Sequence, residues 1–179
     1  MKKHNEKNIC FDQVNVRTEF SSIGSWALKS WPLESAHIIE IANKLCRNTF
    51  LFDLPWDMEQ THVPVTFEND VDWEYMPGND PEFIYQMNRH RYFICLGQAY
   101  HMTGDEKYAD CFVRLLLDWI RNAPLTHEAA ASTWRTLEAG IRGNCWTKAM
   151  RYFQGSPSIT KEVMAAYTDS LKEHGKYLL

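Results

Sequence analysis

The chain has no surplus of positive charge. Its 19 lysines and arginines stand against 23 aspartates and glutamates, a formal charge of -4 over 179 residues. No global basic field therefore draws it to nucleic acid, and an anionic ligand would have to be met by a local arginine cluster. No apolar run is long enough to cross a membrane as a helix, which takes about 18 residues or more. The N-terminus, MKKHNEKNICFDQVNVRTEF, carries lysines but no apolar stretch of signal-peptide length. On those grounds the expected location is the cytoplasm.

Several signatures of chemistry are missing as well. There is no P-loop, no GxGxxG, no HExxH and no GxSxG, which removes the common nucleotide-binding, zinc-protease and serine-hydrolase classes. The seven histidines are scattered. His90 and His101, the one close pair on a predicted helix, would sit about 16 Å apart along it, so no metal site and no cofactor are expected. The five cysteines (Cys10, Cys46, Cys95, Cys111, Cys145) are odd in number and show no CxxC spacing. They read as reduced core residues.

What the sequence does hold is aromatic bulk, 13% of residues with seven tryptophans, which suits a deep core or a sugar-binding cleft. Residues 1–31 are polar and without periodicity, an irregular lead-in. From Pro32, PLESAHIIEIANKLCRNTF places Ile38, Ile41, Ala42 and Leu45 at helical spacing. The following stretch breaks that pattern, and its alternating VPVTF predicts a small extended insertion, a hairpin laid over helices. Asp80-Pro81 and Thr103-Gly104-Asp105 bound a helix over about 81–102 with no wide polar face, hence covered on more than one side. A third helix over 105–122 and a fourth over 130–153 follow. A fifth starts at Ser158 or Thr160, with Val163, Met164, Tyr167, Leu171 and Leu178 facing inward. Short connections make neighbours antiparallel, so the fold class is all-α, a succession of helical hairpins with one non-helical insertion.

Three polar groups stand out, two in these apolar helices and one in the insertion. MNRHRYF puts Asn88, Arg89, His90 and Arg91 in the middle of the second helix, where burial costs several kcal/mol unless each is partnered. They are either a satisfied network or a ligand-facing patch. STWRTLEAGIRGNCW, read as helix, lines up Arg135, Glu138 and Arg142 at steps of three and four. Glu138 could serve both arginines in an internal ion network, or one guanidinium could turn to an acidic ligand. FENDVDWEYMP offers Trp73 and Tyr75 beside Asp70, Asp72 and Glu74, suited equally to stacking on sugars or to capping a bundle. A facing carboxylate pair such as Glu138 and Asp72 would suit a six-hairpin glycoside hydrolase.

Taken in order, DVDWEYMP, NRH, TGDEKYA, LLLDWIRNAP and WRTLEAGIR resemble the N-terminal helical domain of heparinase II/III-type polysaccharide lyases over about residues 50–179. Asn122-Ala123-Pro124 stands where that family usually has Asn-Pro. The resemblance implies an incomplete (α/α) toroid over residues 32–179, truncated before the rest of the toroid and a β-sandwich. It implies cleavage of uronic-acid polysaccharides, heparan sulfate or another glycosaminoglycan, by β-elimination: a neutralised carboxylate, removal of the C5 proton, and departure of the 4-linked sugar. The asparagine, tyrosine and histidine that do this in the family lie farther along, so the resemblance assigns no catalytic residue before Leu179. It assigns Asn88, His90, Trp134, Arg135, Glu138 and Arg142, with Trp73, to substrate binding or cleft support. The implied partner is an acidic polysaccharide, with self-association through apolar surface that missing helices would cover. Members often work in the periplasm or outside the cell. Without the chemistry, the same helices would be a module binding an acidic oligosaccharide or a protein.

Overall fold

The computed structural model describes residues 16–179, with side chains from residue 22 onward. Cys10 and the rest of the first fifteen residues lie outside that description. The helices are α1 (Val16–Ser30), α2 (Pro32–Leu45), α3 (Glu82–Arg89), α4 (Tyr92–Thr103), α5 (Lys107–Asn122), α6 (Thr136–Tyr152) and α7 (Lys161–Leu178). Two short strands, β1 (Thr49–Phe50) and β2 (Val65–Thr66), form the expected antiparallel hairpin, pairing Thr49 with Thr66 and Phe50 with Val65.

Alternate helices are neighbours. α4 packs on α2 and α6 in one layer, and α5 packs on α7 in a second. Within a layer the helices run parallel: His90 meets Trp146, and farther along Gly97 meets Tyr152. Between layers they run antiparallel, since Phe93 packs edge-to-face on Phe112 while Asn88 bonds Trp119, and Trp146 faces Tyr167 while Arg142 reaches His174. Parallel within and antiparallel between is the geometry of stacked helical hairpins. Gly97 permits the close approach of α4 to α6, because a Cβ there would stand 2.6 Å from the Tyr152 side chain.

The core between the layers is aromatic. Trp119, Trp134, Trp146, Phe93, Phe112 and Phe153 are fully buried, each contributing roughly 1.5–3 kcal/mol of burial. Start and stop signals behave as their chemistry dictates. Asp80 accepts from the Glu82 amide at 3.0 Å, Gly104 ends α4 in the left-handed region at φ 71, and Thr160 caps α7 by accepting from the Val163 amide.

Four expectations fail, each for a local reason. Residues 16–30, read as irregular, are the helix α1, which rests on α2 and α4; its serines and Gly24 are weak helix formers that hide the element in the sequence. The single helix over 81–102 is two, because His90 adopts φ 52 and ends α3. The fourth helix begins only at Thr136: Ser132 and Arg135 have non-helical backbones, and Trp134 is drawn inward to donate to the Ala123 carbonyl at 2.8 Å. On α7, Met164 and Leu178 are exposed, and the inner face continues instead through Tyr167, Ser170 and His174.

Candidate functional site

The break at His90 turns the polar residues of α3 into the interior. Asn88 is fully buried and fully used: its amide nitrogen donates to the Trp73 and Ile84 carbonyls at 2.8 and 2.9 Å, and its oxygen accepts from Trp119 Nε1 at 2.8 Å. His90 accepts from Trp146 Nε1 at Nδ1, 2.8 Å away, which puts its proton on Nε2. Its ring is wedged among Trp73, Tyr92, Phe93, Trp119 and Trp146. Burial, followed by the Arg142 charge, holds it well below the usual histidine range, so it is neutral.

Arg142 is a buried cation in an aromatic box. Its guanidinium lies 4.1 Å from the Trp119 ring centre and 4.9 Å from that of Trp134. Nη1 donates to the Asn88 and Thr133 carbonyls, both at 2.9 Å, and Nε donates to His174 Nε2 at 2.8 Å. Burial pulls it down to about 9, still protonated at neutral pH. His174, whose Nδ1 donates to the Ser170 carbonyl at 2.7 Å, is pushed down to about 4 by burial and by Arg142. It is therefore a neutral acceptor that orients the guanidinium.

At the entrance of α6 the network opens. Arg89, buried, donates to Gln86 at 2.8 Å and to Glu138 Oε1 at 2.9 Å. Glu138 is sealed from solvent, and its other oxygen faces Arg135 Nε at 3.4 Å. Arg135, with 34% of its side chain exposed, rests its guanidinium 3.8 Å from the Tyr85 ring centre. A solvent-facing cation is thus clamped between an aromatic face and a carboxylate that a second, buried arginine holds in place. Such a guanidinium is preset for a carboxylate or sulfate.

The structure divides the predicted residues. Arg135 alone among Asn88, His90, Trp134, Arg135, Glu138, Arg142 and Trp73 reaches solvent. Trp73 is 3% exposed and donates to Asp118 at 2.8 Å; it closes the bundle and offers no sugar platform. Glu138 serves Arg89 and Arg135, not Arg135 and Arg142, because Arg142 points the other way, to His174. Sealed between arginines, Glu138 forms no hydrolase pair with Asp72, which is exposed and caps the Glu74 amide. Sequence reasoning missed Tyr85 and left Arg89 and His174 without roles. His174 could have been found, since it continues the inner face of Tyr167 at a helical step of seven. Arg89 was visible only as a polar residue in an apolar helix and Tyr85 carried no signal, because Glu138 and Arg135, which they meet, come from another part of the chain.

Residues 27–179 match the family described as Heparinase II/III N-terminus. The chain belongs to this family. Among curated relatives, a heparin-sulfate lyase of Bacteroides stercoris is 31% identical over 63% of this chain and 20% of its own length, and one of Bacteroides thetaiotaomicron is 27% identical over 69% and 18%. The chain thus spans about a fifth of the length of the curated relatives it matches. In structure it resembles the heparan sulfate lyase HepC of Pedobacter heparinus, with a TM-score of 0.71 at 22% identity over 90% of this chain and 27% of that one. A heparinase III structure matches with a TM-score of 0.64 at 20% identity over 94% and 30%. These likenesses show the fold, an incomplete (α/α) toroid of the heparinase N-terminal type.

Proposed function

We propose that this heparinase-type domain serves a lyase acting on uronic-acid polysaccharides of the heparan sulfate class by β-elimination, and that its own part is to hold substrate. The observation that carries the reading is the clamped, solvent-facing Arg135, with Tyr85 beneath it and the Arg89–Glu138 pair behind it, in a chain whose matched relatives are heparin-sulfate lyases. The guanidinium would pair with a uronate carboxylate or a sulfate, and the exposed edge of the Tyr85–Arg135 stack would border the sugar.

The proton transfers fall to other groups. Among the described residues near Arg135, His90 and His174 are buried and neutral, and each is already bound to a neighbour. Neither reaches a C5 proton. We therefore assign this chain no turnover by itself. The exposed apolar side chains Trp26, Trp31 and Leu33 on α1 and α2 support the further proposal that the isolated chain self-associates. Light scattering at high concentration tests this, and a sharply monomeric profile would sink it.

The deciding experiment titrates heparan sulfate, hyaluronan, chondroitin and alginate oligosaccharides into the chain and follows the ultraviolet absorbance of unsaturated uronic products. Binding without product, weakened by Arg135→Ala, is the expected result. Product from this chain alone would overturn the assignment of proton transfer elsewhere. Absence of binding to all four would overturn the substrate reading, and tight binding indifferent to Arg135 would favour a module for another acidic partner.

A further inference from the structure

Away from Arg135, the C-terminal end of α2 meets the first turns of α5, and two thiols converge there. Cys46, half-buried at the end of α2, directs its Sγ to the Lys107 carbonyl at 3.8 Å. Cys111 lies one turn farther along α5 and is 3% exposed; its Sγ accepts from Arg114 Nη2 at 3.7 Å. The same Nη2 reaches the Leu45 carbonyl at 3.4 Å, so one guanidinium ties the two cysteine-bearing segments together. The Cys46 thiol thus faces the turn of α5, Lys107 to Cys111, that carries the second thiol. Neither is used by the heparinase reading above.

We propose that Cys46 and Cys111 are a reversible disulfide-forming pair, modified by small-molecule disulfides such as oxidised glutathione. Their roles differ by environment. The neighbouring Cys111 thiol draws the Cys46 thiol below its ordinary value, with Lys107 and Arg114 adding in the same direction, against burial. That same contact, together with burial, pushes Cys111 well up. Cys46 is thus the thiolate that reacts first, being the more acidic and the more exposed. Cys95 and Cys145 are buried, and burial pushes both thiols up, Cys145 to about 11.

The chemistry balances without any group the protein lacks. Cys46 thiolate attacks one sulfur of oxidised glutathione, forming a mixed disulfide and releasing a glutathione thiolate. Cys111 then loses its proton to solvent and attacks Cys46 Sγ, forming the protein disulfide and releasing the second glutathione thiolate. Two protein thiols are oxidised and one glutathione disulfide is reduced. The bond would pin α2 to α5 across a long loop and so restrict the unfolded chain.

The test treats the reduced full chain with oxidised glutathione, alkylates the remaining thiols, and maps peptides without reduction. The expected product links the Cys46 and Cys111 peptides and raises the Tm, and both changes reverse with dithiothreitol. Cys111→Ala should trap glutathione on Cys46, and Cys46→Ser should yield no linked peptide and leave Cys111 unmodified in the folded state. Should Cys111→Ala fail to fold, the wild-type map decides alone. A wild-type map in which Cys46 keeps its glutathione, or in which Cys46 is no more reactive than Cys95 and Cys145, would overturn the pairing.

Discussion

Two polar clusters lie on α3 and α6 within a few turns of each other, and they differ in one respect, access to water. Around Arg142, every polar partner is buried and the guanidinium lies against the Trp119 and Trp134 rings. Around Arg135, a similar guanidinium on an aromatic ring ends in solvent. The first cluster turns Nη1 and Nε to the Asn88 and Thr133 carbonyls and to His174 and keeps Nη2 sealed inside; the second leaves a guanidinium that solvent reaches. The same residue type is thus a fastener in one place and a candidate hand for substrate in the other. Chemistry alone does not separate them, because desolvation sets what each charge is worth.

Substitution at Arg142 should break this comparison most severely. Arg142→Ala strands two carbonyls and His174 and opens a cavity among the tryptophans, costing about 4–5 kcal/mol. Urea unfolding should show that loss, and a midpoint close to wild type would mean the box is not structural. Glu138→Gln comes next. It leaves buried Arg89 with only the partly exposed Glu82, 3.6 Å away, as counter-charge and should cost up to about 3 kcal/mol. It should also loosen Arg135, so oligosaccharide affinity should fall together with stability; unchanged affinity would uncouple the two clusters.

Acid probes the same box without mutation. His174 is held at about 4 in the folded chain against about 6.5 when unfolded. Above the unfolded value both states are neutral and nothing is lost. As pH falls from about 6.5 toward 4 the unfolded chain takes up the proton first, so stability drops by up to about 3 kcal/mol. His90, also lowered, adds in the same direction. Denaturation midpoints measured through this window should fall, and a flat profile would show that these histidines are not buried neutral. The smallest effect on stability belongs to Arg135→Ala, under about 1 kcal/mol for a partly exposed pair. Oligosaccharide binding should nevertheless weaken about tenfold or more, roughly 1.4 kcal/mol. Equal losses of stability and binding would erase the distinction between the two regions.

Much of the fold was legible because it rests on local rules. The spacing of Ile38, Ile41 and Leu45, the run from Tyr108 to Ile120, the Asp80-Pro81 start and the Gly104 stop all act within one or two turns. The break at His90 was not legible, because a left-handed histidine is held there by contacts with Trp146 and Trp119 that no neighbouring residue announces. The site was half legible. The stripe Arg135, Glu138 and Arg142 was visible, yet its pairing was misassigned, since helical spacing says which side chains share a face and not which partners approach from other elements.

By itself, then, the sequence determined the helical hairpins, the small strand pair, the heparinase likeness and the residue types available for an acidic ligand. Periodicity, capping and composition are properties of the chain, and they need no partner to act. Only the tertiary structure decided that Asn88, His90, Trp134 and Arg142 are sealed, that Glu138 belongs to Arg89, and that Arg135 alone of the set meets water. Burial and hydrogen-bond pairing depend on which segments are brought together across the fold, and those contacts fix whether a polar group stabilises the core or stays free to bind.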